Sequence, residues 1–135
     1  MRTFINHTNH AAKCWSRSQR AAAERYGEIV DVPFPAIPAS AETTEVTELA
    51  LQTGRELLRM EPAAVLCQGE YTYTYALTMF LQAHGIPVLT ACSERIVSES
   101  VNADGSTARQ SIFQFVMFRT YPRWEQVNEK GSTVS

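Results

Sequence analysis

The run Ala63-Ala64-Val65-Leu66-Cys67, followed at once by Gln68-Gly69-Glu70, decides how this sequence is read. Five consecutive apolar residues leave no polar face, which marks a strand covered on both sides, as in the centre of a parallel sheet. After Gln68-Gly69-Glu70 a helix carries Tyr73, Leu77, Phe80, Leu81 and His84 on one face. Gly85 stands where a helix-ending glycine belongs, and Ile86 to Ala91 reads as the next strand.

The same alternation continues toward the N-terminus. Arg2 to Asn6 reads as a strand; Trp15, Gln19, Ala22, Ala23 and Tyr26 lie at helical spacing, with Gly27 after them. Glu28 to Val32 is a second strand, stopped by Pro33 and Pro35, which lack the amide a ladder needs. Beyond a Pro/Ala/Ser loop at 33–41, Val46, Leu49, Ala50, Thr53, Leu57 and Met60 mark a long helix interrupted only by Gly54. Toward the C-terminus the period shortens. Arg95–Val101 and Arg109–Arg119 form a hairpin across Asn102-Ala103-Asp104-Gly105-Ser106. The expectation is a small Rossmann-like α/β domain over residues 1–121: a mostly parallel sheet, helices on both faces, and a C-terminal antiparallel hairpin. A polar tail follows at 122–135.

Composition narrows the function classes. The 135 residues are 44% hydrophobic and 19% charged, enough for one domain with a core. Twelve basic against fourteen acidic side chains give a net charge of −2, so no cationic field draws duplex nucleic acid or an anionic membrane. The longest apolar runs, five or six residues, fall far short of a membrane span. Met1 to His7 turns polar too early for a secretory signal. Three cysteines, at 14, 67 and 92, make an odd set without CxxC spacing, which argues against a disulfide framework or structural zinc and for a reducing cytoplasm.

In an open α/β sheet, ligands bind beyond the carboxyl ends of the strands, near the reversal of strand order. Three polar clusters are expected there: Asn6-His7-Thr8-Asn9-His10, then Gln68-Gly69-Glu70-Tyr71-Thr72-Tyr73-Thr74, then Thr90-Ala91-Cys92-Ser93-Glu94-Arg95. His7, His10 and Glu70 are the acid–base candidates, because imidazole and carboxylate can move protons near neutrality. Asn6, Thr8, Asn9, Gln68, Gly69, Thr72, Ser93, Glu94 and Arg95 are the ligand-binding candidates. Gly69 would let backbone approach a phosphate, and the Arg95 fork would hold one. The plainer alternatives are that the first cluster caps a helix, that Thr72 is an N-cap with Glu70 complementing the dipole, and that Glu94 and Arg95 form a surface ion pair. No GxGxxG or Walker pattern exists, so no dinucleotide or nucleotide cofactor is expected, and no metal. Cys67 and Cys92 read as packed thiols. Tyr71 could stack on a base, while Tyr73 fits the core stripe. Phe113, Phe115 and Met117 point one way from the last strand and Ile112, Val116 and Phe118 the other, which implies cover on both faces and hence a homodimer.

Taken together, Asn6-His7-Thr8-Asn9-His10, Val30-Asp31, Leu66-Cys67-Gln68-Gly69-Glu70 with Thr72-Tyr73-Thr74-Tyr75-Ala76, and Thr90-Ala91-Cys92-Ser93-Glu94-Arg95 resemble the small stand-alone CRISPR-associated proteins of the Csx type. That resemblance covers residues 1–98. It implies a CARF-like build, binding of a cyclic oligoadenylate second messenger, and metal-independent ring-nuclease cleavage as its catalytic form. The alternatives are a non-catalytic regulatory module for a nucleotide or small anion, and a structural dimeric interaction domain. The sequence departs from the family's pattern in its histidine-rich first loop and in having only Lys13 and Lys130.

Overall fold

Polar caps start each α-helix and apolar runs fill the central strands, so most elements follow from local chemistry. The computed structural model describes residues 2–126, so Met1 and the stretch 127–135 of the expected tail lie outside the described residues. The strands are β1 (Thr3–His7), β2 (Glu28–Asp31), β3 (Pro62–Cys67), β4 (Val88–Val101) and β5 (Thr107–Thr120), and the helices are α1 (Arg17–Glu24), α2 (Thr43–Leu58) and α3 (Tyr71–Ala83). Ser16 caps α1 by accepting the Gln19 amide at 3.2 Å. Glu42 and Glu45 close a reciprocal capping box on α2. Glu70 caps α3 by accepting the Tyr73 amide at 2.8 Å. Several boundaries move from expectation: Trp15 and Tyr26 flank α1 rather than belong to it, α2 ends at Leu58 before Met60, and α3 runs from one residue before Thr72, with Glu70 as its cap, to Ala83 before His84.

The five strands form one mixed sheet in the order β2-β1-β3-β4-β5. The first four run parallel, and β4–β5 is antiparallel. From β1 the chain steps outward to β2; from β3 it steps the opposite way to β4. The strand order therefore reverses between β1 and β3. Strand alternation feeds two apolar clusters. Ile5, Val65, Cys67 and Val88 pack with α2 and α3 residues such as Ala50, Leu57, Tyr73 and Leu77. Phe4, Ala64, Leu66 and Leu89 pack with Ala23 of α1, Trp15 and Phe118.

The fourth strand differs most from the sequence reading. Instead of ending at Ala91, β4 runs unbroken to Val101 and pairs with β5 along its whole length. Ser93, Glu94 and Arg95 thus stand inside a strand, not in a loop after it. Only Val88 and Leu89 of β4 pair with β3, so the distal hairpin projects as a two-stranded ribbon. A bulge where Cys92 faces Met117 but Ser93 faces Phe115 skips Val116. One extra residue reverses the alternation. Phe113, Phe115 and Phe118 consequently share one face, and the expected division of the last strand is corrected. The Phe115 and Phe118 ring centroids stand 4.9 Å apart.

Candidate functional site

β1 ends in a ligand-binding candidate, Asn6, and an acid–base candidate, His7, and both are buried. Asn6 and His7 are each 1% exposed. The Asn6 amide donates to Asp31 Oδ1 and to the His10 carbonyl, both at 2.8 Å. Asp31 Oδ1 also accepts the Ala12 amide at 3.1 Å, so Asn6 and Asp31 together latch the loop after β1 onto the end of β2. Thr8 donates its hydroxyl to Asn6 Oδ1 at 2.8 Å and accepts the His10 amide at 3.1 Å.

The His7 ring lies between Nδ1 at 2.7 Å from the Val32 carbonyl and Nε2 at 2.8 Å from the Tyr73 hydroxyl. A carbonyl only accepts, so Nδ1 carries the proton and Nε2 accepts from Tyr73. Burial holds the imidazole below its usual pKa, against the raising effect of the Val32 carbonyl. Burial likewise pushes the Tyr73 hydroxyl and the Cys67 thiol up to about 12 each. These groups are held neutral and enclosed.

The space around the strand reversal belongs to other residues. A groove of about 820 Å³ opens beyond the ends of β1 and β3, beside the Ala91–Ser93 stretch of β4. Thr8, Asn9 and His10 form one wall, Gln68, Gly69, Ala91 and Ser93 the floor, and Cys14, Trp15, Ser16 and Gln19 the α1 side. Phe113 and Phe115 close it from the hairpin. Trp15 is held by its indole N–H, which donates to the His10 carbonyl at 3.2 Å, and by edge contact with Phe4. Gln68 accepts the Ala91 amide through Oε1 at 2.7 Å, continuing the β3–β4 ladder by a side chain where β3 has ended. No Lys, Arg, Asp or Glu stands among the described residues of this lining. The lining mixes polar with aromatic side chains.

Of the twelve residues singled out in sequence, six meet here: Thr8, Asn9, His10, Gln68, Gly69 and Ser93. Asn6 and His7 lie beneath the loop, Glu70 and Thr72 open α3, and Glu94 and Arg95 stand on the exposed ribbon. Glu70 is held below the usual carboxylate range chiefly by the Tyr73 amide, as expected of a helix cap rather than a proton donor. Gly69 has no left-handed backbone. A Cβ there would run into the Phe34 ring, so close packing against Phe34 requires a glycine at this position. Sequence reasoning missed Trp15, Gln19, Phe113 and Phe115 as lining residues. Trp15 had the one available signal, an indole beside a polar loop.

The family model described as "Uncharacterized protein MJ1673 family" matches residues 2–119. The chain belongs to that family. No curated protein matches it. The family match spans every strand of the sheet, the latch and all the groove-lining residues. Among the described residues, no three His, Cys, Asp or Glu side chains gather as a metal-ligand set, and no helix is long and apolar enough to cross a membrane.

Proposed function

We propose that this protein is a Rossmann-like, doubly wound domain that binds an adenine nucleotide in the groove at the β1/β3 reversal, the ligand being a cyclic oligoadenylate. The observation that carries the reading is the groove's lining: the aromatic rings of Trp15, Phe113 and Phe115 stand in one groove with the amides and hydroxyls of Asn9, Gln68, Thr8 and Ser93. A flat heterocycle stacks on aromatic faces, and its edge needs neutral donors and acceptors. The two apolar clusters on alternate strand residues support helices on both faces of the sheet. The choice of a cyclic adenylate rests on the resemblance to Csx-type proteins, and with it the place in antiviral defence and in the cytoplasm.

Cleavage is the second reading, and one observation favours it: of the three acid–base candidates, only His10 lines the groove. In a metal-independent reaction the ribose 2′-hydroxyl would attack the adjacent phosphorus while His10 takes its proton. The 5′-oxygen would leave and gain a proton, giving a linear product with a 2′,3′-cyclic phosphate.

Calorimetric titration with cyclic tetra-adenylate, cyclic hexa-adenylate and AMP tests binding. One of the cyclic adenylates should bind, and Phe113→Ala should weaken it by roughly 5- to 150-fold, the loss of one stacked base at about 1–3 kcal/mol. Phe113 is 76% exposed, so this variant keeps the fold. Folded protein that binds none of the three overturns the reading. Linear products formed in EDTA by the wild type and lost in His10→Ala, with binding retained, would establish turnover. Binding without products would leave a receptor.

A further inference from the structure

The distal ribbon has an open edge. On the side of β4 away from β5, β3 pairs only with Val88 and Leu89, and the Gln68 side chain then takes the Ala91 amide. From Ser93 to Val101 no described strand lies on that edge. Every second residue of a strand turns its N–H and C=O the same way. Because the Ala91 amide points outward to Gln68, residues 93, 95, 97, 99 and 101 present theirs outward as well. The bulge leaves this parity intact, since its extra residue, Val116, sits on β5.

A two-stranded ribbon of this kind is marginal alone in water. Here Val97 is 41%, Val101 74% and Ile112 58% exposed. An uncovered edge of that length is a template for another strand.

We infer that the occupant is a second copy of this chain, docked antiparallel along β4 about a two-fold axis at Val97. Two independent features select that register. Val97 is the midpoint of the free segment Ser93–Val101, so full pairing of the segment with itself centres there. The same register sets Arg95 of each copy opposite Glu99 of the other. Directly opposed residues of paired strands share a face, so two symmetric ion pairs flank the Val97–Val97 contact. Glu99 also faces Arg109 across its own hairpin, and Arg95 faces Phe113. The row across the assembled sheet then reads Arg109, Glu99, and Arg95 and Phe113 of the second copy.

The outer edge of β5 lacks this complementarity. β5 carries Arg109 and Arg119 and no carboxylate, so pairing it with itself brings arginines together without a counter-charge. Strand exchange along β4 also sets Val101 of one copy opposite Ser93 of the other, at the rim of the groove. The groove would thus be completed by the second molecule. The inference does not depend on what the groove binds.

Light scattering and sedimentation on the full chain at micromolar to hundred-micromolar concentration test it. The wild type should show twice the chain mass. Val97→Pro removes an outward N–H while sparing the β4–β5 ladder, and should give monomer. Arg95→Glu and Glu99→Arg should each weaken the dimer by about tenfold or more, by placing like charges opposite one another. The Arg95→Glu/Glu99→Arg double variant should restore it. Should Val97→Pro fail to fold, the charge-reversal set alone decides. A wild type that stays monomeric overturns the inference. So does a dimer that survives both single reversals, or a double variant no better than either single.

Discussion

His7 shows how one residue's position settles its chemistry. With Nδ1–H given to Val32 and Nε2 accepting from Tyr73, the neutral ring satisfies both partners, and protonation would set Nε2–H against a hydroxyl that now donates. Its pKa is lowered from 6.5 by burial, so the unfolded chain takes up this proton before the folded one. The stability is fully present above 6.5 and is lost as pH falls from there through the lower folded value. Urea midpoints measured from pH 8 to pH 4.5 should show this fall, and His7→Phe should flatten the part beginning near 6.5. An unchanged slope in the variant would remove His7 as its source. Gly69 is the second case. Because its Cβ would enter the Phe34 ring, which packs tilted against His7 and edge-on against Tyr73, Gly69→Ala should cost about 1–3 kcal/mol of stability. Ligand affinity should change little in the fraction that remains folded; denaturation and titration of the same preparation separate the two effects.

At the scale of elements, Gly54 tests packing against propensity. Alanine gains about 1 kcal/mol over glycine in a helix interior. Here, however, a Cβ on Gly54 of α2 would stand 2.4 Å from the Phe80 ring and 3.3 Å from Leu77, both on α3. Overpacking of that kind costs about 1–3 kcal/mol, so Gly54→Ala should destabilise despite better helix propensity. A raised melting temperature would mean that Phe80 moves aside freely. The apolar stripes, the helix-ending Gly85 and the turn at Gly105 were legible because helix and hairpin signals are local, whereas the caps Ser16 and Glu42 were not read. The length of β4 was not. Ser93-Glu94-Arg95 reads as polar loop sequence, yet each residue finds a partner on β5, and pairing alone makes it a strand.

For the whole molecule, the hairpin is anchored to the body by Phe118, whose ring lies 5.2 Å from Phe4 and 6.3 Å from Trp15. Phe118→Ala should therefore cost about 2 kcal/mol or more in urea denaturation. Ile112→Ser, at an exposed position of the distal ribbon, should fall within about 0.5 kcal/mol under conditions where the chain is monomeric. Equal losses would mean that the ribbon is part of the core. By itself the sequence determined the order of elements, the parallel centre, the hairpin and the location of polar loops at one end of the strands, because apolar periodicity, caps and turn residues act over a few neighbours. Only the tertiary structure decided that Asn6 latches Asp31, that His7 is sealed against Tyr73, and that Trp15, Phe113 and Phe115 line one groove. Those partners are separated by tens of residues in the chain, and the bulge at Val116 sets which face Phe113, Phe115 and Phe118 share. A one-residue shift in pairing leaves no mark in composition or period, yet it chooses the wall of the site.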